Sequence, residues 1–149
     1  MTLLIQELAE TELLQDVSED ILQQVLVHAS PLELSPDELL LSPERDNHHI
    51  YLLLSGTLTV HFNSPGSHAI RELSQGSCVG ELSIIDNTTP SAYVKAKVRS
   101  RVFPVHRDFL LDLIQTTHPI AYNLLRLMTQ WVKANTQKII TDQFQISEL

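Results

Sequence analysis

Residues 76–94 decide the fold, and they read Gly-Ser-Cys-Val-Gly-Glu-Leu-Ser-Ile-Ile-Asp-Asn-Thr-Thr-Pro-Ser-Ala-Tyr-Val. The stretch holds two of the four glycines in the chain, Gly76 and Gly80. Gly80 comes directly before Glu81 and the mainly apolar run 82–85, which predicts a strand that turns sharply into a brief helix. The first N–H groups of a helix have no partner within it, and together with the helix dipole they attract anions. This stretch therefore predicts a cradle for a phosphate or another small anion.

The rest of the chain predicts helices at both ends and short strands between them. Apolar residues return at helical intervals over about residues 3–14 and 19–27, and Ser18 is a candidate N-cap. Strands are predicted at about residues 32–34, 39–41, 50–62, 69–73, 92–98 and 101–105. A short helix at about 109–114 and a long helix at about 119–144 follow. The sequence therefore predicts an α+β fold, in which a jelly-roll β-barrel (a double-stranded β-helix) is flanked by N-terminal helices and a long C-terminal helix.

Length, composition and charge narrow the function classes. A length of 149 residues fits one domain with its own core. The net charge of −8, with ten Lys and Arg residues, argues against a nucleic-acid partner, because phosphate backbones attract clustered positive charge. The N-terminus has neither a basic n-region nor an apolar run of signal or membrane length, so we expect a cytoplasmic protein with no membrane segment. The single cysteine, Cys78, cannot form an internal disulfide, and we expect it to be a small buried hydrophobe.

The spacing within residues 76–94 resembles a known ligand-binding segment. Gly80-Glu81-Leu82, four further residues, a polar loop and then Ser91-Ala92-Tyr93-Val94 are similar to the phosphate-binding cassette of the cyclic-nucleotide-binding domain family. We call residues 76–94 the cassette. Gly56 and Gly76 match the family glycines that end the third strand and open the cassette. The resemblance covers about residues 10–140, and it is to the sensor domain of catabolite-activator-like regulators without their DNA-binding domain.

This resemblance implies one domain and a defined ligand site. The implied domain is residues 1–149, with N-terminal helices at about 1–30, the β-barrel at about 31–106 and C-terminal helices at about 107–149. In the family the glycine and the first helical turn approach a cyclic phosphate, and the glutamate accepts a hydrogen bond from a ribose hydroxyl. The implied ligand residues are Gly80, Glu81, Leu82, Ser83, Ser91 and Ala92. The implied ligand is cyclic AMP or cyclic GMP.

The cassette departs from the family at Pro90, where an arginine normally makes two charge-assisted bonds to the phosphate. Proline offers neither a charge nor an N–H. Asp86 adds a negative charge to the loop that is expected to face the phosphate, and the turn glycines that the family places near Asp37 or Glu38 and at Glu44 are absent. We therefore expect a stand-alone, non-enzymatic regulatory or sensor module of bacterial type for signal transduction, with weak or lost cyclic nucleotide binding.

Two alternatives remain open from the sequence. The first is a functional cyclic AMP or cyclic GMP receptor that holds the phosphate with residues 80–83 and Ser91. The second is a cupin-type jelly-roll metalloenzyme, suggested by the seven histidines and especially by His48-His49. The spacing of these histidines from Gly56 disagrees with the first cupin motif, and adjacent strand residues point to opposite faces. Glu81 also has a purely structural interpretation, because a helix dipole favours an acid in the first turn.

The long C-terminal helix predicts a partner. Apolar residues recur in it every seven positions, at Leu125, Val132, Ile139 and Ile146, and Leu124, Met128 and Trp131 widen the stripe. Such a repeat is typical of a helix–helix seam, in which Asn135 is placed to fix the register. We expect a homodimer through Leu125, Met128, Val132 and Ile139, with a different protein partner as a further option. Packing of the same residues across the mouth of the barrel is the alternative.

Overall fold

The computed structural model describes residues 2–147, with side chains described for residues 3–137, 139 and 140. The helices are α1 (Thr2–Ala9), α2 (Glu19–His28), α3 (Glu81–Asp86), α4 (Arg107–Thr116) and α5 (His118–Ser147), and a 3-10 turn spans Glu12–Leu14. The strands are β1 (Leu32–Leu34), β2 (Leu39–Leu41), β3 (His49–Ser55), β4 (Leu58–His61), β5 (Arg71–Leu73), β6 (Cys78–Val79), β7 (Tyr93–Ala96) and β8 (Ser100–His106).

The strands form two antiparallel four-stranded sheets with the orders β1-β8-β3-β6 and β2-β7-β4-β5. The predicted α+β class with a long C-terminal helix is confirmed. Strand pairing within the described residues leaves the two sheets separate, so closure into a jelly-roll barrel stays a prediction. Within the described part of the chain, no helix has the length and apolarity that crossing a membrane requires.

Strand β3 explains how one run of sequence serves two hydrophobic cores. Successive side chains of a strand point to opposite faces. Ile50 and Leu52 pack with the helices, whereas Leu53 packs between the sheets, and all three are almost fully buried. A strand covered on both faces reads as a continuous apolar run, which is what the sequence contains here.

The predicted helix over residues 3–14 is wrong in its second half. The structure has α1, which ends at Ala9, and then the 3-10 turn. The hydroxyl of Thr11 donates to the carbonyl of Leu8 at 2.6 Å, and the N–H of Glu12 donates to the carbonyl of Gly76 at 2.8 Å. Because the Glu12 N–H bonds the cassette, it is unavailable for a helical bond, and the N-terminus is tied to the opening of the cassette.

Gly56 splits the predicted strand 50–62 into β3 and β4. Its φ of +94° lies in the left-handed region, and a Cβ at this position would lie 2.1 Å from the hydroxyl oxygen of Ser100. Glycine is therefore required both for the backbone conformation and for the close approach of β8. At Asp37, where the resemblance expects a glycine nearby, the φ is +67°, so the left-handed turn is kept by a residue type that tolerates it.

Candidate functional site

The cassette forms the strand–turn–helix that the sequence predicts, with β6 leading through Gly80 into α3. Gly80 has a φ of +94°, and a Cβ added there would lie 2.8 Å from the carbonyl oxygen of His49 and 2.9 Å from Nδ2 of Asn47. The N–H of Ile84 donates to the carbonyl of Gly80 at 3.1 Å, which closes the first helical turn. Only a glycine lets the chain turn this close to β3.

Asn47 fixes the start of α3 against β3. Its Nδ2 donates to the carbonyl of His49 at 2.8 Å and to Oγ of Ser83 at 2.9 Å, and the Ser83 hydroxyl donates to the carbonyl of Gly80 at 3.1 Å. The hydroxyl of Ser83 is therefore engaged within the protein and is buried. Its backbone N–H, like that of Leu82, lies in the first helical turn and has no partner within α3.

A cavity of about 410 Å³, which we call the cassette cavity, lies beside this turn. Its lining includes every ligand residue that the sequence predicts: Gly80, Glu81, Leu82, Ser83, Ser91 and Ala92. Pro90 is buried and also lines the cavity. A volume of this size is typical of a small-molecule site. The structure thus brings the predicted residues together, while their role in binding remains a prediction.

Helix α5 supplies a wall of the cassette cavity that sequence reasoning did not assign. This wall consists of Leu127, Gln130, Trp131, Ala134 and Asn135. Trp131 and Asn135, which the heptad pattern placed at a dimer seam, thus face the cavity, and Nδ2 of Asn135 donates to the backbone carbonyl of Trp131 at 2.8 Å. The alternative that the stripe residues pack across the mouth of the barrel stays a prediction.

Sequence reasoning also missed Arg71 and its neighbours on β4 and β5. The cavity is also lined by Val60, Arg71 and Leu73 of these strands and by Phe62 and Ile70 next to them. Residues two apart in a strand share a face, so the apolar Leu73 in the predicted strand was a sequence signal that Arg71 lies on the same face.

Glu81 is an acidic residue that lines the cassette cavity, as Glu12 is. Its Oε2 is buried and has no hydrogen-bond partner among the described residues. Burial raises the pKa of the Glu81 carboxyl, although its own backbone N–H and the charge of Arg71 partly oppose the rise. Burial likewise raises the pKa of the Cys78 thiol, and Cys78 is a buried free cysteine, as expected. Oε2 of Glu81 is therefore available to accept a hydrogen bond from a hydroxyl or amine of a ligand.

The loop of the cassette differs from expectation at Asp86. Its side chain is exposed, accepts a hydrogen bond from the Thr88 hydroxyl at 3.4 Å and does not belong to the cavity lining. The expectation that Asp86 faces the ligand from the loop does not match the structure, because Asp86 is the last residue of α3 and is not among the residues that line the cavity. The negative charges of the cavity come from Glu81 and Glu12 instead.

The histidines do not assemble a metal site within the described residues. The rings of His49 and His106 lie 5.2 Å apart, and burial together with the neighbouring His106 and His48 lowers the pKa of His49. Among the side chains that the structure describes, no group of three or more His, Cys, Asp or Glu could hold a metal ion. The cupin alternative stays a hypothesis.

The predicted dimer stripe lies on the other side of α5. Leu125, Val132 and Ile139 are 67%, 54% and 58% exposed, whereas Met128 is half-buried. At about 100° per residue, the centre of this stripe is about 130° around the helix from the centre of the cavity-facing residues. The fourth residue of the predicted stripe, Ile146, lies outside the described side chains.

Solved structures with this fold include regulators from several organisms. The catabolite activator protein of Thermus thermophilus is 18% identical with a TM-score of 0.78, over 90% of this chain and 64% of that protein. A cyclic nucleotide-binding domain from Methylobacillus flagellatus is 21% identical with a TM-score of 0.80, over 93% and 84%. The regulatory subunit of a cAMP-independent protein kinase A from Trypanosoma brucei is 21% identical with a TM-score of 0.76, over 92% and 48%. At these identities the likeness shows the fold alone, and no curated protein sequence matches the chain.

The sequence match defines the family. A family model described as the cyclic nucleotide-binding domain matches residues 31–117. These residues contain both sheets, the cassette and α4, so the match covers the cassette as well as β4 and β5, which also line the cavity. The chain therefore belongs to the cyclic nucleotide-binding domain family.

Proposed function

We propose that the protein is a regulatory or sensor module whose cyclic nucleotide binding is weak or lost, because Pro90 stands where a phosphate-binding arginine is expected. The observation that carries the proposal is the lining of the cassette cavity, which contains all the predicted ligand residues together with a buried Pro90. A hydrogen bond to a charged group contributes about 1.5–3 kcal/mol, so each missing bond weakens binding about ten- to a hundredfold. The two carboxylates of the cavity, Glu12 and Glu81, further disfavour a phosphate near the cassette.

The proposal extends to the whole chain. It includes a single non-enzymatic cytoplasmic domain over residues 1–149, without a nucleic-acid or membrane partner. The strand orders β1-β8-β3-β6 and β2-β7-β4-β5 support a jelly roll, because consecutive strands β1 and β2 belong to opposite sheets and the chain crosses between the sheets repeatedly. The cAMP-independent kinase regulator of Trypanosoma brucei offers a precedent for this fold without cAMP dependence.

The partner of the module is proposed to be a second copy of the chain. The exposed stripe of Leu125, Val132 and Ile139 supports a seam along α5, because a seven-residue apolar repeat on a solvent-facing surface is what a helix–helix interface uses. A different protein that presents an apolar helix is the other partner class. Either partner would contact the exposed stripe and would leave the face of α5 that lines the cavity unchanged.

The test of the proposed function is calorimetric titration with cyclic AMP and cyclic GMP. We expect the wild-type protein to bind weakly or not at all and Pro90→Arg to bind cyclic AMP about ten- to a hundredfold more tightly, because its guanidinium supplies the missing charge-assisted bonds. Pro90→Gln is the matched control, since it removes the ring without adding a charge. Equal affinities of Pro90→Arg and Pro90→Gln would contradict the proposal.

A working receptor is the second candidate. The unpartnered Oε2 of Glu81 and the first N–H groups of α3 favour it, because both fit a ribose cyclic phosphate without any arginine at residue 90. Saturable micromolar binding of cyclic AMP or cyclic GMP by the wild-type protein would establish this candidate in place of the first.

A further inference from the structure

Arg71 is the positively charged residue of the cassette cavity. Of the residues that line the cavity in the described part of the chain, it alone is a lysine or an arginine. It opens β5 and pairs with Val60 of β4, and it lines the same cavity as Pro90 and Ser91. A cation is thus present in the cavity, although on a different element from the one where the family carries it.

Arg71 lines the cassette cavity and is itself exposed. No hydrogen bond or carboxylate within 4 Å is found for it in the part of the chain that the structure describes. Its neighbour Glu72 is different, because Glu72 accepts from Lys97 at 3.0 Å. Burial raises the pKa of Glu81 and of Cys78, and the charge of Arg71 partly opposes both rises. Arginine in this position has its donors available for an anion.

The space beside Arg71 is apolar. Val60, Phe62 and Ile70 form one side of it, and Leu127 and Trp131 of α5 form another. An indole and a phenyl ring favour a flat, apolar body by stacking and by burial. Glu12 and Glu81 repel a second negative charge at the cassette end, where Glu81 instead offers a hydrogen-bond acceptor.

We propose that Arg71 is the anion-binding residue of the cassette cavity and that the cavity takes an amphiphilic organic anion, with one acidic group at Arg71 and a flat apolar body between β4 and α5. A carboxylate, a sulfonate and a phosphate monoanion share the chemistry that Arg71 recognises. The inference rests on the proposed function only in placing the ligand in this cavity. It does not depend on residue 90.

The test uses two fluorescent probes with the same aromatic body. 1-Anilinonaphthalene-8-sulfonate carries one sulfonate, and N-phenyl-1-naphthylamine lacks it. The chain has one tryptophan, Trp131, which lines the cavity, so quenching of its emission reports a probe bound near α5. Both probes are titrated against the wild-type chain, Arg71→Gln, Arg71→Lys and the control Arg99→Gln. Arg99 is exposed, pairs with Glu33 and does not line the cavity.

We expect the sulfonate probe to bind the wild-type protein and Arg99→Gln equally and to bind Arg71→Gln about ten- to a hundredfold more weakly. Arg71→Lys keeps the charge and is expected to lose less affinity. The uncharged probe is expected to bind all four proteins alike. Absence of sulfonate-probe binding, equal binding to Arg71→Gln, or equal weakening of both probes by Arg71→Gln would overturn the inference. Because Arg71 is exposed at the start of β5, we expect its variants to fold normally and to keep the wild-type circular dichroism spectrum.

These results separate the inference from the proposed function. Dependence of the sulfonate probe on Arg71, combined with no gain of cyclic AMP affinity in Pro90→Arg, would support the inference and contradict the proposed function. A gain of cyclic AMP affinity in Pro90→Arg, combined with sulfonate-probe binding that does not depend on Arg71, would support the proposed function and contradict the inference.

Discussion

The buried carboxyl of Glu81 lowers the free energy of unfolding when it is ionised. Burial raises the pKa of its carboxyl above the ordinary value of 4.5, so the folded protein holds that proton more tightly than the unfolded chain. Between the two pKa values the folded state binds more protons, and the free energy of unfolding therefore falls as the pH rises through this interval. Above the folded pKa the loss is complete. A buried acid that destabilises the fold is typical of a residue kept for binding.

We expect Glu81→Gln to raise the free energy of unfolding at pH 7, because glutamine keeps the shape without the buried charge. The difference from the wild-type protein should shrink as the pH falls below 4.5, where the wild-type carboxyl is protonated in both states. Urea unfolding at several pH values measures this. The same change at Glu10, whose side chain is exposed, is the control. A Glu81→Gln variant that is less stable at pH 7 would show that the carboxylate contributes to the fold.

Glycine is required at residue 56 by the positive φ of the backbone and by the close approach of Ser100. We expect Gly56→Ala to lower the free energy of unfolding by at least about 2 kcal/mol, because a non-glycine residue at positive φ is strained and the new Cβ would meet Ser100 at 2.1 Å. Gly66→Ala is the matched control, since a Cβ there meets no atom within 4 Å, and its effect should stay within about 0.5 kcal/mol. Chemical denaturation measures both. Similar losses in the two variants would argue that Gly56 is not specially constrained.

At the level of elements, α5 is fixed by one buried amide near its start. Nδ2 of Asn123 donates to the carbonyls of Leu13 and Gln15, each at 2.8 Å, and Asn123 is only 1% exposed. These two bonds attach α5 to the 3-10 turn, which in turn contacts Gly76 of the cassette through Glu12. The wall that α5 gives to the cassette cavity therefore depends on the N-terminal segment.

We expect Asn123→Ala to destabilise the protein by about 1–3 kcal/mol, because two buried carbonyls lose their donor. Amide hydrogen exchange should accelerate along α5 more than in β3. Thr129→Ala is the control, since the Thr129 hydroxyl is exposed and bonds only the carbonyl of Leu125 within the same helix. Unchanged exchange in α5 would mean that packing alone holds the helix in place.

The cassette was predictable from sequence because its geometry is local. Gly80, the acid after it and the apolar turn specify a strand, a left-handed residue and a short helix within a few positions, and the structure contains them. The N-terminal helix was overestimated because its end is set by Gly76, more than sixty residues away. The roles of Trp131 and Arg71 depend on how α5 crosses the second sheet, and a helical repeat does not say which face meets which partner.

At the scale of the whole molecule, α5 has two faces with different expected roles. Val132 is exposed on the stripe opposite the cavity. We expect Val132→Glu to dissociate a dimer, because a charge buried in an apolar seam is costly. Lys133→Gln is the control, since it makes the same one-unit change in net charge at the neighbouring position. Sedimentation over a concentration series measures the effect. An unchanged dimer in Val132→Glu would place the interface elsewhere.

We propose that the cassette cavity keeps the architecture of a cyclic nucleotide pocket and lacks the arginine expected at residue 90. The cyclic AMP affinities of four proteins test it most directly: the wild-type chain, Pro90→Arg, Glu81→Ala and the double variant. We predict that Pro90→Arg tightens binding about ten- to a hundredfold and that adding Glu81→Ala removes this gain, because phosphate and ribose contacts act on one ligand. A folded Pro90→Arg protein whose cyclic AMP affinity equals that of the wild-type chain would contradict the claim.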